Sequence, residues 1–496
     1  MFTFLKYFIF ILILISLGLS YLLYTSSGNQ YIYHFAGYKL SQKSGLKIEV
    51  KSINIREYPE VIVEMNVERK AKLIFTGDLT NTWIDMDYTL TSDCIASDVC
   101  KIDDNINVKG HVSGPFSHLN ITGEGIALDG NVKYNAIKFT DKFEDINLTM
   151  HEVNSTKLFT LMGQEAIIKG KADVTMLFDI MDENNKQGSL TYDVKDNNFS
   201  GIPLNLHTTV DIDNMKQSFI IDITSPFLKL NISEGTYDQE KKVAKAFYIL
   251  DIKDLGALET LLGYKYLGSF YAMGEMSYDK YISISGLSKS YGGMIDYIFE
   301  KDGLKVELID VSFKDFMQLF PFPSIIDADT RGHIYYNFRQ DTLVVNTTLK
   351  NAKFLPSSIV DTIYKRSGVK MMKETFDDSI LEATYHNNII FGDLKLSNQK
   401  SYFQLTNVKM DSEKDILNAN FDFKMQRQEF SGKIFGSLDD PTVDLDMHKL
   451  IMYQMDKQLD SIMGKKSRKL MEKMPMGGVA KGMAVGMGAG FVGMFF

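Results

Sequence analysis

Between about Leu46 and Asp446 apolar and polar residues alternate with a period of two, and this restricts the fold more than any other property of the chain. Val61, Val63, Met65 and Val67 face one way, and Glu64, Asn66 and Glu68 the other. Ala172, Val174, Met176, Phe178 and Ile180 repeat the pattern, as do Leu417, Ala419, Phe421, Phe423 and Met425. Leu206–Ile212 and Phe219–Ile223 behave likewise. A period of two is that of a strand with one apolar and one solvated face, and one-sided strands build antiparallel sheets. Turn signals at Asp129-Gly130, Asn197-Asn198, Lys301-Asp302-Gly303 and Asn387-Asn388 separate the strands.

A sheet of this kind must hide its apolar face. It can pack as serial sandwiches, close into a barrel, or curl into a trough that something else fills. Only nine prolines are spread along the chain and no Pro-, Gly- or Ser-rich linker divides it, which favours one continuous body. At about 12–13 residues per strand and turn, that body holds on the order of 30 strands.

A short phrase recurs within the alternation. Leu158-Phe159-Thr160-Leu161-Met162-Gly163 returns as Leu258-Glu259-Thr260-Leu261-Leu262-Gly263, and in degenerate form as Phe316-Met317-Gln318-Leu319-Phe320-Pro321. Each copy reads as a short apolar helix and a stop. A glycine kink (Gly170, Gly274, Gly332) and an outgoing strand follow. Repetition of one unit points to a modular β architecture.

The two ends differ from the body. Tyr7–Tyr24 is uncharged and rich in Phe, Ile and Leu. Eighteen helical residues span roughly 27 Å, close to the ~30 Å core of a bilayer. A cleaved signal peptide is the competing reading, but no Ala-x-Ala-like site follows and the run exceeds a signal core. Positive charges flank the segment almost evenly, so they do not orient it. At the other end, Leu445–Met474 has helical composition with the basic cluster Lys465, Lys466, Arg468, Lys469 and Lys473. Beyond Pro475, Gly478, Gly482, Gly486 and Gly490 mark one helix face at every fourth residue. Small residues at that spacing allow close helix packing in lipid, against the alternative of an unstructured Gly/Met tail. The expected divisions are an anchor (1–24), a connecting helix (25–45), the β body (46–446) and a basic and glycine-rich tail (447–496).

Composition narrows the function. A net charge of −9 argues against a nucleic-acid surface. The only cysteines, Cys94 and Cys100, are spaced for a disulfide across a tight loop in an oxidising compartment. A pair of free thiols is the alternative, and a zinc site lacks further ligands nearby. Eight histidines are scattered without metal-ligand spacing. Asp182–Gly188 falls short of a calcium loop, and no nucleophile elbow or phosphate-binding loop occurs. The expectation is a protein that is not an enzyme and carries no cofactor.

Three segments carry a resemblance. Thr25-Ser26-Ser27-Gly28, Tyr31–Leu40 and Gly45-Leu46-Lys47-Ile48-Glu49-Val50 form an anchor-to-strand passage. The Leu-x-x-Leu-Leu-Gly units punctuate the body. Phe430-Ser431-Gly432-Lys433-Ile434-Phe435-Gly436-Ser437-Leu438-Asp439-Asp440-Pro441 is a Gly-rich strand running into Asp-Pro. In these the chain resembles the AsmA-like family of envelope proteins, which includes TamB-type members, although it is shorter than the large TamB type. The resemblance implies an elongated, twisted, mainly β repeating groove anchored in the inner membrane, with its bulk in the periplasm. Such a groove shields phospholipid acyl chains between the inner and outer membranes, without catalysis. The residues expected to line it are Val174, Met176, Phe178, Leu417, Phe421 and Phe423. The partners expected are membrane lipids and, through the tail, a protein of either membrane. A scaffold that offers sheet edges to outer-membrane proteins is the alternative, and a secreted adhesin of serial β-domains is a weaker one.

Overall fold

The computed structural model describes residues 47–446 except 56, 69–70, 96–101, 162, 166–167, 183, 200, 264, 320–323, 412, 427 and 439–440, with 33, 35, 37–39, 41–42 and 452. The expected anchor Tyr7–Tyr24 and the tail glycines Gly478, Gly482, Gly486 and Gly490 lie outside the described residues. Alternation of apolar and polar side chains becomes 26 strands among the described residues, so the protein is mainly β. The chain divides into two compact units, Met1–Lys265 with Ser269–Ile284, and Tyr266–Gly268 with Ser285–Phe496.

The first unit opens with β1 (Ile48–Ile55), β2 (Glu60–Val67), β3 (Ala71–Leu79), β4 (Trp83–Ile95) and β5 (Ile102–Pro115). Next come β6 (His118–Ala127), β7 (Gly130–Phe139), β8 (Phe143–Asn154), β9 (Lys171–Met181) and β10 (Lys186–Phe199). It continues through β11 (Ile202–Asp213), β12 (Lys216–Thr224), β13 (Leu228–Asp238), β14 (Val243–Ile252) and β15 (Phe270–Asp279). The division falls inside β16 (Tyr281–Ser288). The second unit holds β17 (Met294–Glu300), β18 (Gly303–Ser312), β19 (Ile326–Asn337), β20 (Thr342–Phe354) and β21 (Asp378–His386). It ends with β22 (Ile389–Ser397), β23 (Tyr402–Asp411), β24 (Ile416–Met425), β25 (Gln428–Gly436) and β26 (Pro441–Leu445).

Every described pairing joins strands adjacent in sequence, and all are antiparallel. In neither unit does a described pairing join first strand to last, so the sheet does not close on itself in either. In such a meander every odd-to-even connection lies at one rim and every even-to-odd connection at the other. The odd-to-even rim carries tight turns. Helices interrupt the even-to-odd rim: α1 (Ser155–Leu161) follows β8, and α2 (Glu259–Leu262), entered through a 3₁₀ turn at Leu255–Leu258, follows β14. In the second unit α3 (Phe313–Met317) follows β18 and α4 (Ser358–Ser367) follows β20.

The repeated phrase therefore marks α1, α2 and α3. Gly263 ends α2 in the left-handed region (φ 69), its N–H donating to the Glu259 carbonyl. The glycines assigned to kinks divide. Gly170 (φ 137) does precede β9. Gly274 and Gly332 instead lie inside β15 and β19, and at Gly332 a side chain would overlap the neighbouring strand at Asn346 and Thr347. Three of the four turn signals form hairpins: Leu128 and Asp129, Lys301, and Asn387 and Asn388 all take positive φ. Asn197 and Asn198 do not, because β10 absorbs them through a register shift after Val194 and the chain turns later, near Gly201 (φ 90).

Two interiors form on the inner face. In the first unit the rows of β1–β9 are buried, Leu73, Ile84, Met86 and Val112 completely or nearly so. In one row Tyr88, Gly110, Gly123 and Tyr134 face each other across four strands. The two rings lie over the two glycines, where a side chain would overlap them, and their hydroxyls meet at 2.5 Å. Burial lifts the Tyr134 phenol to about 12. Burial and then the Tyr134 neighbour push Tyr88 up further. The device recurs with Phe178 over Gly188, Phe219 over Gly235 and Phe421 over Gly432, letting the sheet bend without losing apolar cover. In the second unit the interior gathers around Phe354, Phe376, Phe403, Phe421, Phe423 and Phe430.

Candidate functional site

The accessible part of the inner face is where the two units leave apolar rows unfinished. In the first unit it lies chiefly on β11–β14, beside the buried Ile232, Ala246 and Tyr248 of β13 and β14. Leu206 stands opposite Ile223, Thr208 opposite Ile221 and Val210 opposite Phe219. The rows continue from Ile223 to Leu230, Leu250 and Ala272. Leu206, Val210, Phe219, Ile221, Ile223, Leu230 and Leu250 are half-buried rather than buried, although their alternation matches that of β2 or β9. Sequence period sets which way they point; what lies over them sets their burial.

The second unit shows the same contrast along each strand. At the helix-bearing rim Ile326, Ala328, Leu349, Phe354 and Leu396 are buried. Toward the tight turns the same rows reach Ile334, Tyr336, Leu343, Val345, Tyr385 and Ile390, all half-buried. Helix α4 explains the difference. Its Val360 (3% exposed) and Ile363 (0%) belong to the phenylalanine interior, so it covers the face at its own rim only.

Against this background the six candidate lining residues separate. Val174, Met176 and Phe178 are 2%, 6% and 3% exposed, and Phe421 and Phe423 are 2% and 0%. All five sit in packed interiors; only Leu417 is half-buried. Phe421 and Phe423 stack at 6.1 Å and 15°, and Phe403 crosses Phe354 edge-on at 5.0 Å. The accessible apolar rows are others, chiefly on β11–β14 and the turn-side halves of β18–β24, and period-two reading cannot tell the two sets apart.

The remaining candidates are placed as follows. Cys94 is disulfide-bonded, no described cysteine is free, and Cys100 lies outside the described residues. His111 stands 3.1 Å from Asp85 and 2.8 Å from Asp87. His151 lies 2.6 Å from Asp173, and His207 2.6 Å from Asp193. These are exposed cross-strand pairs on the outer face. Among the described residues no cluster of three or more His, Cys, Asp or Glu is arranged to hold a metal ion, and no helix is long and apolar enough to cross a membrane.

The two sheet edges differ. The N–H of Ile48 donates to Ser41 Oγ at 2.9 Å, and that of Ile53 to the Tyr33 hydroxyl at 3.4 Å, so the helical residues Tyr33 and Ser41 cover the edge of β1. At the other end β26 is five residues long and begins with Pro441, which has no N–H to offer. No family model matches this chain, and no curated protein shows significant sequence similarity to it.

Proposed function

We propose that this is an inner-membrane-anchored, largely periplasmic protein whose repeating β-groove shields phospholipid acyl chains between two membranes without catalysis. One observation carries the reading: the half-buried apolar rows of β11–β14. A contiguous apolar surface left in contact with water is unfavourable. An acyl chain laid along it gains ~0.8 kcal/mol per methylene removed from water. Such a chain needs only an uninterrupted apolar path, and the cross-strand rows from Leu206 through Ile223 and Leu230 to Leu250 supply one. The resemblance to AsmA-like proteins supports the reading, and the disulfide at Cys94 suits an oxidising compartment.

Ile220 and Ile221 test it. They are neighbours on β12, with Ile220 46% exposed on the outer face and Ile221 half-buried on the inner. With a photo-crosslinking residue at either position in the full chain, non-specific contact favours 220 and a shielded acyl chain favours 221. Lipid adducts from 221 and few from 220 are expected; equal adducts from both sink the proposal.

A further inference from the structure

In the second unit three even-to-odd connections are tied into one surface. The first runs from β20 through α4 and the 3₁₀ turn Met371–Lys373 to β21. The second is the Asn398–Ser401 turn between β22 and β23, and the third holds Gln426 between β24 and β25. Asn398 donates to the Thr375 carbonyl at 2.6 Å, and Ser401 Oγ to Glu374 at 2.9 Å. The Lys370 N–H donates to Gln426 Oε1 at 3.4 Å, and Gln426 Nε2 donates back to the Lys370 carbonyl at 3.1 Å. Val360, Ile363, Val369 and Met371 belong to the phenylalanine interior. The remaining side of α4 and of the turn after it faces away from that interior.

That outward side is cationic. From Tyr364 to Lys373 stand Lys365, Arg366, Lys370 and Lys373 and no carboxylate, in a chain of net charge −9. Lys400 joins them from the second connection. All five are exposed, and none makes an ion pair among the described residues. The carboxylates of these connections are Asp361, Glu374 and Asp377, and Glu374 is engaged by Ser401. The opposite rim differs: Arg339 lies 2.8 Å from Asp302, and Lys414 3.0 Å from Asp411. A helix C-terminus favours cations in its last turn, which accounts for Lys365 and Arg366 but not for Lys370, Lys373 or Lys400. Among the cations two large side chains are exposed, Tyr364 at 46% and Met372 at 49%. Cations set around solvent-facing Tyr and Met suit a surface with anionic groups outermost and hydrocarbon beneath. A bilayer offers that layering, and an acidic protein does not.

We propose that this rim of the second unit is a contact surface for an anionic lipid bilayer, with the five cations on headgroup phosphates and Tyr364 and Met372 in the interfacial layer. It is separate from the expected anchor and does not depend on the acyl-chain reading of β11–β14.

The test uses the full chain in neutral phosphatidylcholine nanodiscs, with an environment-sensitive fluorescent residue at position 372 or, on the opposite rim, at the exposed position 340. It is titrated with vesicles of phosphatidylcholine alone or of equal parts phosphatidylcholine and phosphatidylglycerol. A blue shift from 372 and none from 340 is expected with the anionic vesicles, and none from either with the neutral ones. In Lys365→Gln/Arg366→Gln/Lys370→Gln/Lys373→Gln the half-saturating lipid concentration should rise about tenfold. Should that variant lose its fold by circular dichroism, Lys365→Gln/Lys400→Gln, on two separate connections, takes its place with about a threefold rise expected. No response at 372, an equal response at 340 or to neutral vesicles, or an unchanged midpoint in the folded variant overturns the proposal. An equal shift at 372 with poly-glutamate assigns the rim to an acidic protein and overturns it too.

Discussion

The Nζ of Lys157 reaches from α1 to two carboxylates, 2.9 Å from Asp104 and 2.6 Å from Asp129. The Asp104 side chain has no solvent exposure, and it also accepts the backbone N–H of Leu128 at 2.6 Å. The hydrogen bond from Lys157 holds the Asp129 carboxyl below its ordinary value, against some desolvation. On Lys157 burial acts downward, but the hydrogen bonds and charges of Asp129 and Asp104 outweigh it and raise the ammonium above its usual range. The signs fix the pH window. The Asp129 contribution is present above the ordinary carboxylate value of 3.8 and is lost as pH falls through the depressed one. The Lys157 contribution is complete below 10.5 and is lost as pH rises through the raised one. Lys157→Met should flatten both arms of a urea-midpoint profile taken across that range. By leaving a buried carboxylate without its cation it should also cost roughly 3–5 kcal/mol near neutrality. Unchanged arms would remove the latch. Nothing in the sequence announces it: only the pairing of β5 with β6 and the placing of α1 bring Lys157 to Asp104 and Asp129.

Helix α4 shows what an element can add that its neighbours cannot. Ser357 caps it by accepting the Val360 N–H, and Gly368 ends it in the left-handed region at φ 74. These are the ordinary start and stop signals of a helix. They are legible at Pro356-Ser357 and Ser367-Gly368, although this helix carries no copy of the repeated phrase that marks α1, α2 and α3. Its burial makes it the cover of the phenylalanine interior. Ile363→Ala should therefore cost about 2–5 kcal/mol, and Ser357→Ala about 1 kcal/mol, both read from urea denaturation of the full chain. The larger loss should come with increased binding of a hydrophobic dye, as Phe403, Phe421 and Phe423 lose their cover. Destabilisation without extra dye binding would mean that α4 supports the sheet without covering it.

Strand number, direction and facing follow from alternation and turn chemistry, both local, and they are legible along nearly the whole body: the arithmetic of about 30 strands meets 26. Burial is not local. Phe423 and Ile221 both sit on the apolar face of alternating strands, yet one is 0% exposed and the other half-buried, because Phe403, Phe430 and the buried residues of α4 gather around the first. A charge pair should separate them. Phe421→Asp with Phe423→Asp places two carboxylates in a dry interior at several kcal/mol each and should unfold the second unit. Ile221→Asp with Ile223→Asp leaves the charges within reach of water, so the first unit should stay folded by circular dichroism and thermal melting. Equal loss of fold in both would mean that the β11–β14 rows are as closed as the phenylalanine interior. The meander also has a consequence for how such a chain can change length. Because α1, α2, α3 and α4 all follow even-numbered strands, duplicating or deleting a hairpin leaves every later one of them on its own rim. Gain or loss of a single strand would carry all of them to the opposite rim, where the turns now stand. Growth of this fold is thus confined to steps of two strands, and relatives that differ in length should differ by whole hairpins.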